Sequence, residues 1–71
     1  MSTLEEDLMQ LNIFIGKRLR EKRRKLGLTL AQVGESLGVS HQQIQKYEQG
    51  QTRASAAILH QIAQMYGVNL Q

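Results

Sequence analysis

The stretch TLAQVGESLGVSHQQIQKYEQG, residues 29–50, predicts two short helices joined by a tight turn. Thr29 is of a type that commonly caps a helix N-terminus, and Gln32 three residues later completes a capping box. Ser40 begins the second helix in the same way. Gly38 lies between them, where a residue in the left-handed conformation commonly closes a helix.

Apolar side chains recur at helical spacing in both segments and indicate the buried faces. They are Leu30, Val33 and Leu37 in the first helix, and Ile44 and Tyr47 in the second. Gly34 lies mid-helix, where glycine costs about 1 kcal/mol relative to alanine. Its presence predicts that the two helices cross closely. Two short helices joined in this way are typical of a helix-turn-helix.

Further helices are predicted on both sides of this pair. One covers residues 12–26, and Ser55 caps another near the C-terminus. Their apolar stripes are Ile15, Leu19 and Leu26, then Ile58, Leu59, Ile62, Ala63 and Tyr66. A short helix is also predicted over residues 2–11. The predicted fold is therefore one all-α domain of four to five helices over residues 1–71, with a core at 12–68 and an N-terminal extension at 1–11.

Composition argues against several kinds of protein. The 71 residues include no cysteine and two histidines, so neither a zinc site nor any other metal or cofactor is expected. No paired nucleophile and base indicates an enzyme, and nothing indicates a small-molecule ligand. No apolar run approaches the about 18 residues of a membrane span, and the acidic N-terminus does not resemble a secretory signal. A reducing, cytoplasmic location is compatible with the lack of cysteine.

The basic charge forms a patch. The net charge is +3, and seven of the nine Lys and Arg residues lie between Lys17 and Lys25. Such a patch attracts phosphate polyanions, although a solvated helix face is the alternative.

Four segments together resemble the lambda-repressor-like helix-turn-helix family of the Cro/cI or Xre type. They are IGKRLREKRRKLGLT, LAQVGESLGVS, IQKYEQG and ILHQIAQMYGV, spanning roughly residues 15–68. The resemblance implies that the third helix lies in the major groove of double-stranded DNA. Members usually have alanine at the position of Gly34. They often have a glutamine that contacts the DNA backbone at the position of Leu30, for which Gln32 is the candidate substitute.

The predicted third helix, residues 41–49, carries the side chains expected to read bases. Glutamine pairs with adenine N6 and N7, and lysine with guanine O6 and N7. Gln42 and Lys46 lie four residues apart on one face, and His41 lies at the helix start, where recognition helices meet bases. These three are the candidate base readers, with a merely solvated face as the alternative.

A second set of residues is expected to contact the DNA backbone. They are Gln32, Ser40, Gln43, Gln49, Gln51, Arg53 and Arg18. For Gln43, a capping-box role and a DNA contact remain alternatives. The resemblance further implies an ion pair between Arg23, on the buried stripe of the first helix, and Glu48, which closes the third.

Two functions remain open. One is sequence-specific DNA binding as a transcriptional regulator, by a homodimer because one recognition helix contacts too few base pairs. The other is a protein-interaction module on the same fold, as an antitoxin would be. The expected dimer surface is either N-terminal, on Leu4, Leu8 and Leu11, or C-terminal, on Tyr66, Val68 and Leu70. Family members often continue beyond the fourth helix, so a complete small regulator and a DNA-binding part of a longer protein are both possible.

Overall fold

The computed structural model describes residues 3–67, which form four helices and contain no strand. The helices are α1 (Leu4–Lys25), α2 (Leu30–Leu37), α3 (His41–Glu48) and α4 (Ala56–Tyr66). The predicted all-α class is confirmed. Ser2, Val68 and Leu70, which appeared in the predictions above, lie outside the described residues. Within residues 3–67, no helix is both long enough and apolar enough to span a bilayer.

Two predictions about the N-terminal part of the chain are wrong, because one long helix, α1, covers it. Helix α1 runs without a break through residue 12, so neither a helix start at 12 nor a separate short helix over residues 2–11 is correct. The helix begins instead at Thr3, whose hydroxyl accepts a hydrogen bond from the Glu6 amide at 3.1 Å. The Glu6 carboxylate accepts in return from the Thr3 amide at 3.3 Å, which completes a capping box. No glycine or proline interrupts the first three turns, so the helix continues into the core.

The other end of α1 also departs from the prediction. Leu26 does not extend the buried stripe, because the helix ends at Lys25 and Leu26 occupies the C-cap, half exposed. Gly27 follows with a φ of +72° and turns the chain. Leu28 then packs against the core in place of Leu26.

The caps of the helix-turn-helix segment follow the predicted chemistry, with one exception. Thr29 and Gln32 form both hydrogen bonds of their capping box. The Ser40 hydroxyl accepts from the Gln43 amide at 3.1 Å, but the Gln43 side chain does not return to Ser40. The predicted capping box at Ser40 is therefore only half formed. Gly38 closes α2 in the left-handed conformation, as predicted.

The core is small and is built mainly around α2, α3 and α4. Its buried members are Val33, Ile44, Ile62 and Tyr66. Gly34 permits the close crossing that the sequence predicts, since a Cβ there would lie 2.6 Å from the carbonyl oxygen of Val39. The structure thus gives a reason for glycine where the family usually has alanine.

Helix α1 packs against the C-terminal end of α3 through backbone contacts. A Cβ at Gly16 would lie 2.6 Å from the carbonyl oxygen of Tyr47, and one at Gly50 would lie 2.7 Å from the Cα of Ile13. Two glycines on opposite sides of the interface therefore let the two chain segments touch. Because the blocking atoms are mostly backbone, they cannot move aside as a flexible side chain would. This contact fixes the position of α3 along α1.

Candidate nucleic-acid interface

Helix α3 presents one polar face to solvent. His41, Gln42 and Lys46 are all exposed on it, so the structure brings the three candidate base readers onto one surface. Ile44 is buried on the side of α3 opposite Gln42 and Lys46, and Glu48 is buried at the C-terminal end of the helix. With eight residues, α3 is about 12 Å long. An α-helix with its side chains is about 10–12 Å across, so α3 fits the major groove of B-DNA, which is about 12 Å wide.

The N-terminal turn of α3 is fastened by its own polar side chains. Gln43 is partly buried, and its side-chain amide donates to the Thr52 hydroxyl at 3.1 Å. This bond ties the helix to the segment that follows it. The structure does not contain the complete capping box at Gln43, and the alternative, a DNA contact, stays a prediction. It shows a third role, which local sequence patterns do not indicate because Thr52 is nine residues away.

The loop after α3 folds back along the end of the helix. The Gln51 amide donates to the carbonyl oxygen of Lys46 at 3.0 Å. The Gln51 side chain donates to the side-chain oxygen of Gln49 at 2.8 Å. Both glutamines and Arg53 are exposed. The loop residues predicted to follow the DNA backbone therefore lie beside the C-terminal end of the exposed face of α3.

A buried ion pair joins α1 to α3, as predicted. Arg23 donates from Nε to Glu48 at 2.6 Å and from Nη2 to the other carboxylate oxygen at 3.0 Å. Its Nη1 donates to the carbonyl oxygen of Leu28 at 2.9 Å, which adds the α1–α2 turn to the same network. The hydrogen bond to Glu48 raises the pKa of the Arg23 guanidinium above its ordinary value. Such a two-point contact fixes orientation as well as distance.

Residues 15–71 match a family of helix-turn-helix domains. The chain belongs to the helix-turn-helix domain family. In this protein α2 and α3 are the two helices of the motif, and the turn between them contains Gly38 and Val39. The identification agrees with the lambda-repressor-like architecture that the sequence predicts.

Several curated proteins are similar to this helix-turn-helix chain. An uncharacterized HTH-type transcriptional regulator of Sinorhizobium medicae is 45% identical over 58 residues, which are 82% of this chain and 42% of that protein. An uncharacterized transcriptional regulator in the ATPase CF(0) region of Rhodospirillum rubrum is 44% identical over 54 residues, covering 76% and 50%. One from Rickettsia conorii is 34% identical over 70 residues, covering 99% and 56%. The chain thus spans about half the length of these relatives.

The basic patch lies on more than one side of the helix-turn-helix unit. Arg18 lines a groove between α1 and α4, so the structure does not bring it together with the other candidate backbone residues. Arg20 lies beside Gln45 of α3 and Gln49, which is the C-cap of α3. Its spacing of three residues from Arg23, which faces α3, is the sequence signal that distinguishes it from Arg18. Gln32 is exposed, with its side-chain oxygen held by the Thr29 amide at 2.8 Å.

Glu48 also affects a tyrosine of the helix-turn-helix core. Burial raises the pKa of Tyr66 to about 12, and the nearby negative charge of Glu48 is the second cause. Removing the phenol proton would place a second negative charge beside Glu48 in the core. The neutral phenol is therefore the form that the fold requires.

Proposed function

We propose that this helix-turn-helix protein is a transcriptional regulator that binds double-stranded DNA at specific sequences, with α3 in the major groove. The observation that carries the proposal is the exposed face of α3. His41, Gln42 and Lys46 are exposed there, and the Arg23–Glu48 ion pair holds the same helix against α1. A side chain that reads bases has to be held in a fixed orientation, and this support provides it. The similarity to proteins named transcriptional regulators supports the same function.

The candidate DNA contacts divide into two roles. Gln42, Lys46 and His41 read base edges, because glutamine and lysine offer the donors that adenine and guanine accept. Gln49, Gln51 and Arg53 contact phosphates beside the end of α3, and Gln32 and Ser40 do so at the N-terminal ends of the two motif helices. Arg20 takes the place expected of Arg18, since it lies on the α3 side of α1. Gln43 positions the loop through Thr52.

The regulator acts as a homodimer without a cofactor. One recognition helix contacts too few base pairs for specificity in a genome, and related motifs bind two half-sites about 34 Å apart. We infer a cytoplasmic location, because the relatives named above are bacterial proteins and the bacterial genome lies in the cytoplasm.

The test separates base reading from phosphate binding. A binding site is first selected from random duplexes, and affinities for that site and for random DNA are then measured over a series of salt concentrations. Gln42→Ala and Lys46→Ala should each cost about 1 to 3 kcal/mol on the selected site and leave random DNA almost unaffected. Arg53→Ala should weaken both duplexes alike and reduce the slope of log K against log salt by about 1.

His60→Ala is the matched control, because His60 is an exposed polar residue of α4 and should change neither affinity. Equal weakening of both duplexes by Gln42→Ala and Lys46→Ala would show that α3 does not read bases. Absence of any salt-dependent DNA binding by the wild type would favour a protein-interaction module instead.

A further inference from the structure

The N-terminal part of α1 exposes apolar side chains that the function above does not use. Leu4, Leu8 and Leu11 are 76%, 45% and 51% exposed. Their spacing of four and then three residues places them on one face of the helix, in the pattern of a coiled-coil seam. Ile15 continues the seam at the next interval of four. A regular apolar seam on an exposed helix face is typical of a surface that packs against another helix.

The same seam leads into an apolar groove on the body of the protein. Beyond Ile15, it faces α4 across an open cavity of about 260 Å³, where Ile62 and Tyr66 form part of the wall. A neighbouring cavity of about 210 Å³ shares Ile15 and Leu59 with the first and reaches back to Leu8. The two cavities therefore form one trough that follows α1.

The charges beside the trough differ from those beside the leucines. Arg18 and Lys22 line the trough and place two positive charges at its edge. The first turn of α1 carries three acidic residues between Leu4 and Leu8 in the sequence, namely Glu5, Glu6 and Asp7. A segment with leucines on one face and acids beside them matches an apolar trough with a basic edge.

We propose that the trough binds the N-terminal part of α1 from a second copy of this chain, so that two α1 helices pair antiparallel. Leu8 of one copy then lies level with Arg18 of the other, and Leu11 lies level with Ile15. Each acidic first turn meets the basic edge of the partner. A parallel pair would bring the two Lys17–Lys25 clusters together, and such like-charge contacts are unfavourable. This interface deepens the homodimer of the proposed function.

The first test measures oligomeric state by sedimentation equilibrium over a wide range of protein concentration. The wild type should be a dimer, and Leu8→Gln should raise the dimer Kd by at least about tenfold, because each dimer loses two buried leucines. Met9→Gln is the matched control. Met9 is 56% exposed but lies off the seam, so this variant should keep the wild-type Kd. A monomeric wild type, or equal Kd values for the two variants, would overturn the interface.

The second test uses charge, because a leucine substitution alone does not report helix direction. Arg18→Glu should weaken the dimer, and adding Asp7→Lys should restore most of the affinity, since the double variant exchanges the two charges. Circular dichroism checks that each variant keeps the helix content of the wild type. If the double variant is weaker than Arg18→Glu alone, the antiparallel pairing is wrong.

DNA binding distinguishes failure of this interface from failure of the proposed function. Leu8→Gln should still bind random duplex at low salt, because Leu8 is not one of the proposed phosphate contacts. A wild type that binds DNA but never dimerises refutes the interface and keeps the DNA-binding function. A wild type that dimerises but never binds DNA refutes the DNA-binding function and keeps the interface.

Discussion

Glu48 shows how one residue can set the arrangement of several helices. It is a buried carboxylate at the C-terminal end of α3, where the helix dipole disfavours a negative charge. Its two oxygens accept from Arg23, which also holds the carbonyl oxygen of Leu28. The cost of burying the acid is therefore offset by a network that joins α1, the α1–α2 turn and α3. The exposed face of α3 depends on this network for its orientation.

Removing one partner of this pair should strongly destabilise the protein. Glu48→Ala leaves the Arg23 guanidinium buried without its acid, and we expect the free energy of unfolding to fall by about 3 to 5 kcal/mol. Urea denaturation measures the change, and Glu35→Ala, at an exposed acid of α2, is the control. The double substitution Arg23→Met, Glu48→Met should cost less than the two single ones together, since no buried charge remains. A Glu48→Ala variant as stable as Glu35→Ala would contradict this.

At the scale of elements, the N-terminal caps of α2, α3 and α4 are the best predicted part of the fold. Thr29, Ser40 and Ser55 each cap the helix that the sequence assigns to them, because capping depends on residues within one turn. The same signal was present at Thr3 and Glu6 and would have located the true start of α1. The apolar stripe on Ile15 and Leu19 does not extend to that start, because residues 3–11 are exposed on every side.

Contacts between segments that are distant in the sequence are the part of the structure that sequence patterns predict least well. Arg18 lines a groove and Arg20 lies beside α3 because one side of α1 faces α4 and another faces α3. No local sequence pattern specifies where α4 packs. The bond from Gln43 to Thr52 is of the same kind. The ion pair between Arg23 and Glu48 was predicted only through the family resemblance. The base-reading roles remain proposals.

The N-terminal caps of α3 and α1 should differ in their effect on the stability of the protein. Ser40→Ala removes a cap next to the core, so the free energy of unfolding should fall by about 1 kcal/mol. Thr3→Ala removes a chemically similar cap from an exposed turn, so it should increase hydrogen exchange in the first turn of α1 and hardly change global unfolding. Both are measured on protein diluted to the monomer. Equal losses of global stability would mean that the first turn of α1 folds as one unit with the core.

At the scale of the whole molecule, Tyr66 links the stability of the core to pH. Its pKa is about 12 in the folded protein against an ordinary 10.0, so the folded protein holds the phenol proton more tightly than the unfolded chain. The stability that this group provides is complete below pH 10 and is lost as the pH rises towards 12. Ionisation of Tyr66 should therefore lower the free energy of unfolding of the whole domain at alkaline pH.

Tyr66→Phe should remove this part of the pH dependence. Relative to pH 9, the wild type should lose about 1 kcal/mol more stability at pH 11 than the phenylalanine variant does. Urea titrations at the two pH values measure the free energy of unfolding of each protein. Contributions from ionisable groups that both proteins share cancel when the two declines are subtracted. An identical decline in the wild type and in Tyr66→Phe would show that Tyr66 does not control it.

The unbroken course of α1 has a consequence for the DNA sites that the proposed dimer could bind. Leu4, Leu8 and Leu11 of the proposed dimer seam lie on the same continuous helix as Gly16, which contacts the end of α3. The rotational phase between the three leucines and Gly16 is therefore set by the number of residues that separate them. One residue inserted between Leu11 and Gly16 would turn the two faces relative to each other by about 100° and shift them by about 1.5 Å. Seven inserted residues make nearly two turns, which almost restores the phase and lengthens the separation by about 10 Å. In relatives that pair through this helix, the length of that short segment would therefore determine which half-site spacings a dimer can bind.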